Sequence, residues 1–342
     1  MDPISQGAVG AVFAQSATSA EKIRAYAIFG CLAGMAPDLD IFIQSSTDPL
    51  LFLEYHRHFT HALVFIPFGA AIVAAVLFKL LRHKLTWWQA YFACLIGYAT
   101  HGLLDACTSY GTQLFWPFST TRVAWNHVSV VDPLFTLPLL LMVVISLRKH
   151  SRRWAAAGVL WIVCYLSFGL IQHNRAIQGA QLMAAQQGHT PERLTVKPGF
   201  GNLLLWKSIY AYNGVYHVDA IRVGTTTEFC PGDHVDIFDA KKHLPELDLN
   251  SQQARDIERF RWFSDNYLAP FGEPGNIIDV RYAAVPNDIN PLWGIRIDSH
   301  AGNTAHVAFV PNRRTSGAQT QALLDLLAGK GCAPINSQLS HS

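Results

Sequence analysis

The chain has 342 residues, half of them hydrophobic and 15% charged, well below the roughly 25% charged composition of soluble domains. Its length favours two units over one, and a formal net charge of +2 supplies no basic face for a phosphate backbone, so nucleic acid is excluded as an expected partner. The average hides an asymmetry: through His173 there are 11 Lys/Arg and 8 Asp/Glu, and from Asn174 onward 15 and 16. The expected architecture is therefore an α-helical transmembrane bundle over residues 1–173, followed by a small soluble α+β domain over 174–342. No basic segment opens the chain, so residues 1–19 do not read as a cleaved signal peptide.

Apolar stretches follow in order at 7–20, 26–43, 62–78, 87–104, 128–147 and 154–172. A spanning helix needs about 20 mostly apolar residues, with roughly 17 as the lower limit. The first stretch is too short to span alone and reads as a re-entrant or half-buried helix. The second qualifies if it breaks near Pro37, Asp38 and Asp40, which gives about five spans. The loops at 79–84 and 148–153 are short and rich in Lys and Arg, which makes them cytoplasmic. Residues 44–61, 108–127 and everything after 172 are then expected on the opposite face, the periplasm of a bacterial inner membrane.

In the second half a helix is expected at 174–187, ended by Gly188, and others near 252–263 and 318–327. Strand-like runs occupy 203–212, 216–223, 277–284 and 293–298. Asn213-Gly214 between the first two is a strong hairpin signal. Residues 337–342 read as a frayed end. Cys31, Cys94, Cys107 and Cys164 lie in apolar runs and read as small buried side chains. Cys230 and Cys332 can pair if their half faces an oxidising compartment.

Ionisable residues in lipid are costly, so each one is a functional hypothesis. Asp38 and Asp40 follow Pro37. Two residues apart on a helix they face opposite ways, and they converge only if Pro37 unwinds the chain. His56, Arg57, His58 and His61 stand at the mouth of the 62–78 span, and neutral imidazole is a common metal ligand. His101 and Asp105 share one helix face at i,i+4 spacing. Asp132 precedes Pro133 at the start of another span. The expected topology brings all these clusters to one face, which favours a shared site. Taken singly, each has a plainer explanation: His101 as a hydrogen-bonded core residue paired with Asp105, Asp38 as a helix terminator, and Thr60 and Asp132 as N-caps.

The pattern resembles the LexA-regulated inner-membrane metal-dependent hydrolases of the YdjM type. The matching residues are Met1-Asp2-Pro3-Ile4, Pro37-Asp38-Leu39-Asp40, His56-Arg57 with Thr60-His61, His101 with Asp105, and Trp116-Pro117-Phe118-Ser119 leading to Asp132-Pro133. The soluble half contributes residues 202–206 and Asn290-Pro291-Leu292-Trp293-Gly294. The chain departs from the family where members read Thr-His after the opening Asp-Pro-Ile, since it has Ser5-Gln6, a neutral amide in place of an imidazole. The resemblance implies a membrane-bound hydrolase.

The expected metal ligands are Asp38, Asp40, His56, His61, His101 and Asp105. Six ligands exceed the three plus water that one catalytic Zn²⁺ requires, so two ions are plausible. Zn²⁺ is the first choice and Mn²⁺ is compatible. Arg57 is expected to hold an anionic substrate group, and His58 to act as general base or acid. A site at the membrane surface suggests an ester or phosphodiester of a lipid-linked or envelope substrate, with membrane lipid as partner. Two alternatives remain. An ion- or proton-coupled transporter would need a polar path through the cytoplasmic halves of the spans, where ionisable residues are lacking. A metal-stabilised scaffold would bind metal without turnover.

Overall fold

The computed structural model describes residues 1–81, 85–312 and 315–335; residues 82–84 of the first basic loop and the terminal 337–342 lie outside the described residues. The chain divides into two compact units. One comprises 1–43, 55–171 and 200–202, and the other 44–54, 172–199 and 203–342.

The first unit is helical. Helix α1 (Pro3–Ser16) is started by Asp2, whose carboxylate accepts from the Ile4 and Ser5 amides, with Pro3 in the first turn where its missing N–H costs nothing. It packs antiparallel on α2 (Ile23–Met35). After Met35 the chain tightens into a 3₁₀ helix over Ala36–Phe42, because Pro37 cannot donate to an α-helical bond. A short α3 (Leu51–Tyr55), which mostly belongs to the other unit, and a 3₁₀ turn at Phe59–His61 lead to α4 (Ile66–Leu81). Next come α5 (Trp87–Ala106) and α6 (Pro133–Lys149). The 35-residue α7 (Arg152–Gln186) follows.

Among the described residues, three segments are long and apolar enough to cross a membrane: Ala20–Phe42, Leu63–Leu81 and Arg152–Gln186. Helices α5 and α6 occupy the places of the other two expected spans. Helix α6 starts at Pro133 rather than at 128, because Asp132 caps it through the Leu134 and Phe135 amides. The outward faces are apolar: Phe68, Ile72 and Val76 on α4, and Leu134, Leu137 and Leu141 on α6, are all exposed. Such faces suit a hydrocarbon solvent.

Glycines let the helices meet at backbone distance. A Cβ on Gly10 would lie 2.3 Å from the Gly30 carbonyl oxygen, and one on Gly97 would lie 2.2 Å from that same oxygen. Small residues at such crossings are how membrane helices pack closely. Here they bring α1, α2 and α5 together, and these carry Gln6, the chain leading to Asp38, and the His101/Asp105 pair.

The second unit holds a five-stranded antiparallel sheet in the order β1 (Arg193–Pro198), β2 (Leu205–Tyr212), β3 (Val215–Val223), β4 (Thr227–Asp236), β9 (Ala333–Pro334). A four-stranded antiparallel sheet runs β5 (Leu268–Pro270), β6 (Asn276–Asp279), β7 (Trp293–Arg296), β8 (Ala308–Pro311). The expected hairpin forms, with Asn213 and Gly214 both at positive φ between paired Tyr212 and Val215. Helices α8 (Ala240–His243), α9 (Gln252–Phe263) and α10 (Gly317–Leu327) complete the unit. Ile209, Tyr216, Val218, Ile278 and Val280 pack together in one of its hydrophobic clusters. Cys230 and Cys332 are joined by a disulfide. The expected separate helix at 174–187 is a continuation of α7, since no Gly or Pro interrupts the chain between 172 and 174.

Candidate metal centre

Four side chains converge in the first unit. Asp38, His61, His101 and Asp105 each offer one ligand atom, and these atoms all lie within 4.8 Å of one another. His101 and Asp105 come from successive turns of α5. His61 ends the short 3₁₀ turn, whose carbonyl is pressed against Gly102: a Cβ there would stand 2.3 Å from the His61 oxygen. Asp38 comes from the 3₁₀ segment after Pro37, where the tighter winding turns Asp38 and Asp40 about 120° apart around the axis, so that they approach His61 from different sides.

The hydrogen bonds around the two imidazoles fix how they face. His101 Nδ1 lies 2.6 Å from the Gly34 carbonyl oxygen, which can only accept, so Nδ1 carries the proton. His61 Nδ1 lies 3.2 Å from Asp40 Oδ2, again an acceptor. In the neutral rings both Nε2 atoms then present lone pairs, and they face each other at 2.9 Å. Asp38 Oδ1 stands 3.5 Å from His61 Nε2 and 3.4 Å from His101 Nε2. Asp105 Oδ2 stands 3.2 Å and 3.6 Å from the same two atoms. Two lone pairs and two carboxylate oxygens aimed at one another repel unless a proton or a cation lies among them. A buried carboxylate behind an imidazole, as Asp40 stands behind His61, is the usual support of a metal-bound histidine.

Asp105 shows the same one-sided supply of partners. Its Oδ1 accepts from the Gln6 amide at 2.9 Å and from the Met1 α-amino group. Its Oδ2 is buried and makes no hydrogen bond, although Arg57 Nε stands 3.1 Å away, because the two are misaligned. One lone-pair face is therefore held ready toward the imidazoles. Two imidazole nitrogens and two carboxylate oxygens fit Zn²⁺ or Mn²⁺ as a donor set. Asp38 is the exposed member, with 17% of its side chain accessible while the other three are sealed, so solvent reaches the cluster past Asp38.

The remaining candidates surround this group. Asp40 and His56 stand outside the four-atom set: Asp40 accepts from the Arg57 amide and the Thr60 hydroxyl, each at 2.9 Å, and lies 2.8 Å from His56 Nδ1. Arg57 is buried, ion-paired with Asp105, bonded to Thr108 Oγ1 at 2.9 Å, and stacked on Tyr110 with its guanidinium carbon 4.9 Å from the ring centre. Its φ of +64° is costly for a side chain bearing a Cβ. The hydrogen bond its backbone amide donates to Asp40 Oδ2 and the one its carbonyl accepts from the Gln113 amide hold it there. His58 is directed elsewhere, packed edge-on to Tyr55 and Phe59 and tilted against Trp116. Asp132 caps α6 and accepts from Tyr165 at 2.7 Å, the structural role that its position beside Pro133 allows.

Four contributors were not singled out for this work in the sequence. Thr60, read only as a possible cap, bridges Asp40 and His61. Thr108 and Tyr110 support Arg57. The Gly34 carbonyl sets the His101 tautomer, and a backbone oxygen leaves no trace in residue type.

A helical membrane unit with a buried His/Asp cluster, joined to a unit of antiparallel sheets, is the class that fold and site define. The chain belongs to the YdjM inner membrane protein family, whose model matches residues 1–176. It is also 30% identical over 103 residues to the uncharacterized protein YfhP of Bacillus subtilis (strain 168). That match covers 30% of this chain and about a third (31%) of the relative. No solved structure matches.

Proposed function

We propose that the protein is a metal-dependent hydrolase of the bacterial inner membrane, acting on an ester or phosphodiester of a lipid-linked or envelope substrate. The observation that carries this reading is the pair of buried imidazoles whose Nε2 atoms face each other at 2.9 Å and lie within 3.6 Å of carboxylate oxygens of Asp38 and Asp105. Those four residues would hold the ion, which when bound would activate water and polarise the scissile oxygen. A one-ion site suits the four converging ligands better than the two ions expected from six.

The chain's own groups supply the rest. His56 is the imidazole at this site that keeps some solvent access, at 19% of its side chain, and Asp40 fixes it through Nδ1. Its Nε2 is then the proton-transfer atom, and Asp40 orients His56 and His61 together. Arg57 holds Asp105 in register, and its remaining N–H groups are a second source of charge for an anionic substrate. The paired cysteines favour an oxidising compartment for the second unit, in keeping with the basic loops facing the cytoplasm.

The test uses detergent-purified full chain loaded with Zn²⁺ or Mn²⁺ and offered bis-p-nitrophenyl phosphate and p-nitrophenyl esters. Turnover should disappear in His101→Ala and Asp105→Ala and after chelation, and it should fall steeply in His56→Ala. Turnover that survives chelation or His101→Ala contradicts the reading. Metal retained with no turnover on any ester or phosphodiester favours the scaffold.

A further inference from the structure

A second feature of the first unit is independent of the metal cluster. Helices α1, α2 and α6 leave between them an apolar groove of about 680 Å³. Its floor is made of small side chains, Gly7, Ala8, Ala11 and Ala27, and the exposed Ile28 and Leu32 stand at its rim. Two arginines, Arg24 and Arg148, line one end. Both are exposed, and among the described residues neither forms an ion pair. Met35 lines the other end. The eleven residue steps from Arg24 to Met35 rise about 16 Å along α2, close to half the roughly 30 Å hydrocarbon thickness of a bilayer.

We infer that this groove binds one anionic glycerophospholipid. Its phosphate would sit between Arg24 and Arg148, and an acyl chain would lie along the Ala-lined floor through one leaflet. The length of the groove matches a single leaflet, and the unpaired charge is confined to the end where a headgroup would lie. Arg148 stands beside Lys149 in the last turn of α6 and belongs to a basic loop read as cytoplasmic, the side whose anionic lipids attract such residues. A zwitterionic lipid would fill the floor equally well but would place its own cation against the arginines.

Native mass spectrometry of the full chain, released from detergent after exposure to phosphatidylglycerol or phosphatidylcholine of identical acyl chains, tests this. The wild type should carry a single phosphatidylglycerol roughly tenfold more often than phosphatidylcholine. The R24Q/R148Q variant should retain both equally. Equal retention by the wild type, or undiminished phosphatidylglycerol on the variant, overturns the inference. A second readout needs no variant: Cys31 lines the groove and Cys164 is exposed elsewhere on the unit. Phosphatidylglycerol should slow alkylation of Cys31 by N-ethylmaleimide and leave Cys164 unchanged, whereas an unaltered Cys31 rate would contradict a bound lipid.

Discussion

The two units bury charge in different ways. In the second unit Arg281 and Asp279 are both buried and form a two-bond pair at 2.9 and 2.8 Å, and Arg281 also donates to the Phe263 carbonyl at 2.8 Å. Lys207 is buried as well and donates to the carbonyls of Pro286 and Asp288 at 3.1 and 2.8 Å. Each charge finds its partners locally. In the first unit the groups are pooled: Asp40 serves His56, Arg57, Thr60 and His61, and the two imidazole Nε2 atoms and Asp105 Oδ2 are left facing one another. Saturated pairs specify a core. An unsaturated convergence of acceptors, held by saturated neighbours, is what a cation site requires.

The largest effect that separates the two arrangements should come from breaking a saturated pair. Asp279→Ala leaves Arg281 buried and unpaired, which should cost the second unit about 3–5 kcal/mol, measured by chemical denaturation followed through hydrogen exchange of β2 and β3. Metal content should not change. A parallel loss of metal would mean that the two arrangements are coupled.

Next is alkaline pH. Burial lowers the Lys207 and Lys197 ammonium groups to about 7, and for Lys197 the nearby Arg281 adds to the effect. In the unfolded chain lysine holds its proton to about 10.4. Between about pH 7 and the onset of tyrosine ionisation the unfolded state therefore binds more protons, and the second unit should grow more stable as pH rises. Asp219, pushed up to about 6 by burial, titrates below that window. Stability that falls steadily from pH 7 to 9 would show that these lysines stay charged in the fold.

Smaller effects are expected from the supports of the cluster. Asp40→Asn should lower activity or metal affinity about 10–100-fold, because it loosens His56 and His61 together. If the variant behaves as wild type, Asp40 is only a loop brace. The smallest change expected is that of Gln6→His. Gln6 donates to Asp105 Oδ1, while its own Oε1 is buried without a hydrogen bond. An imidazole there, as in the family pattern, should tighten Zn²⁺ binding in titration after chelation. An unchanged isotherm would leave Gln6 with its hydrogen-bonding role alone.

Much of the fold was legible because its signals are local. Apolar runs marked the helices, and Asn213-Gly214 marked the hairpin. Strand β4 escaped notice because Pro231 and Gly232 interrupt its pattern, and the β3–β4 register shifts beside them, between Val218 and Ala220. The convergence of Asp38, His61, His101 and Asp105 followed from placing costly groups on one face of an apolar bundle. The division between those four and the supporting Asp40 and His56 could not be read, since it depends on which ring nitrogen meets which oxygen. Nor could the direction of His58, which follows the positive φ at Arg57, a conformation that residue type does not announce.

The central claim is that the lone pairs of His61 and His101 face a cation. Elemental analysis of detergent-purified full chain, dialysed against trace Zn²⁺ and Mn²⁺, tests it most directly. About one divalent ion per chain is expected for the wild type and for Asp132→Asn, whose carboxylate caps α6 outside the cluster. Little or none is expected for His101→Ala and Asp105→Ala. A wild type that takes up no ion, or equal metal in all four proteins, would contradict the account and leave the cluster as a proton-sharing network within the helical core.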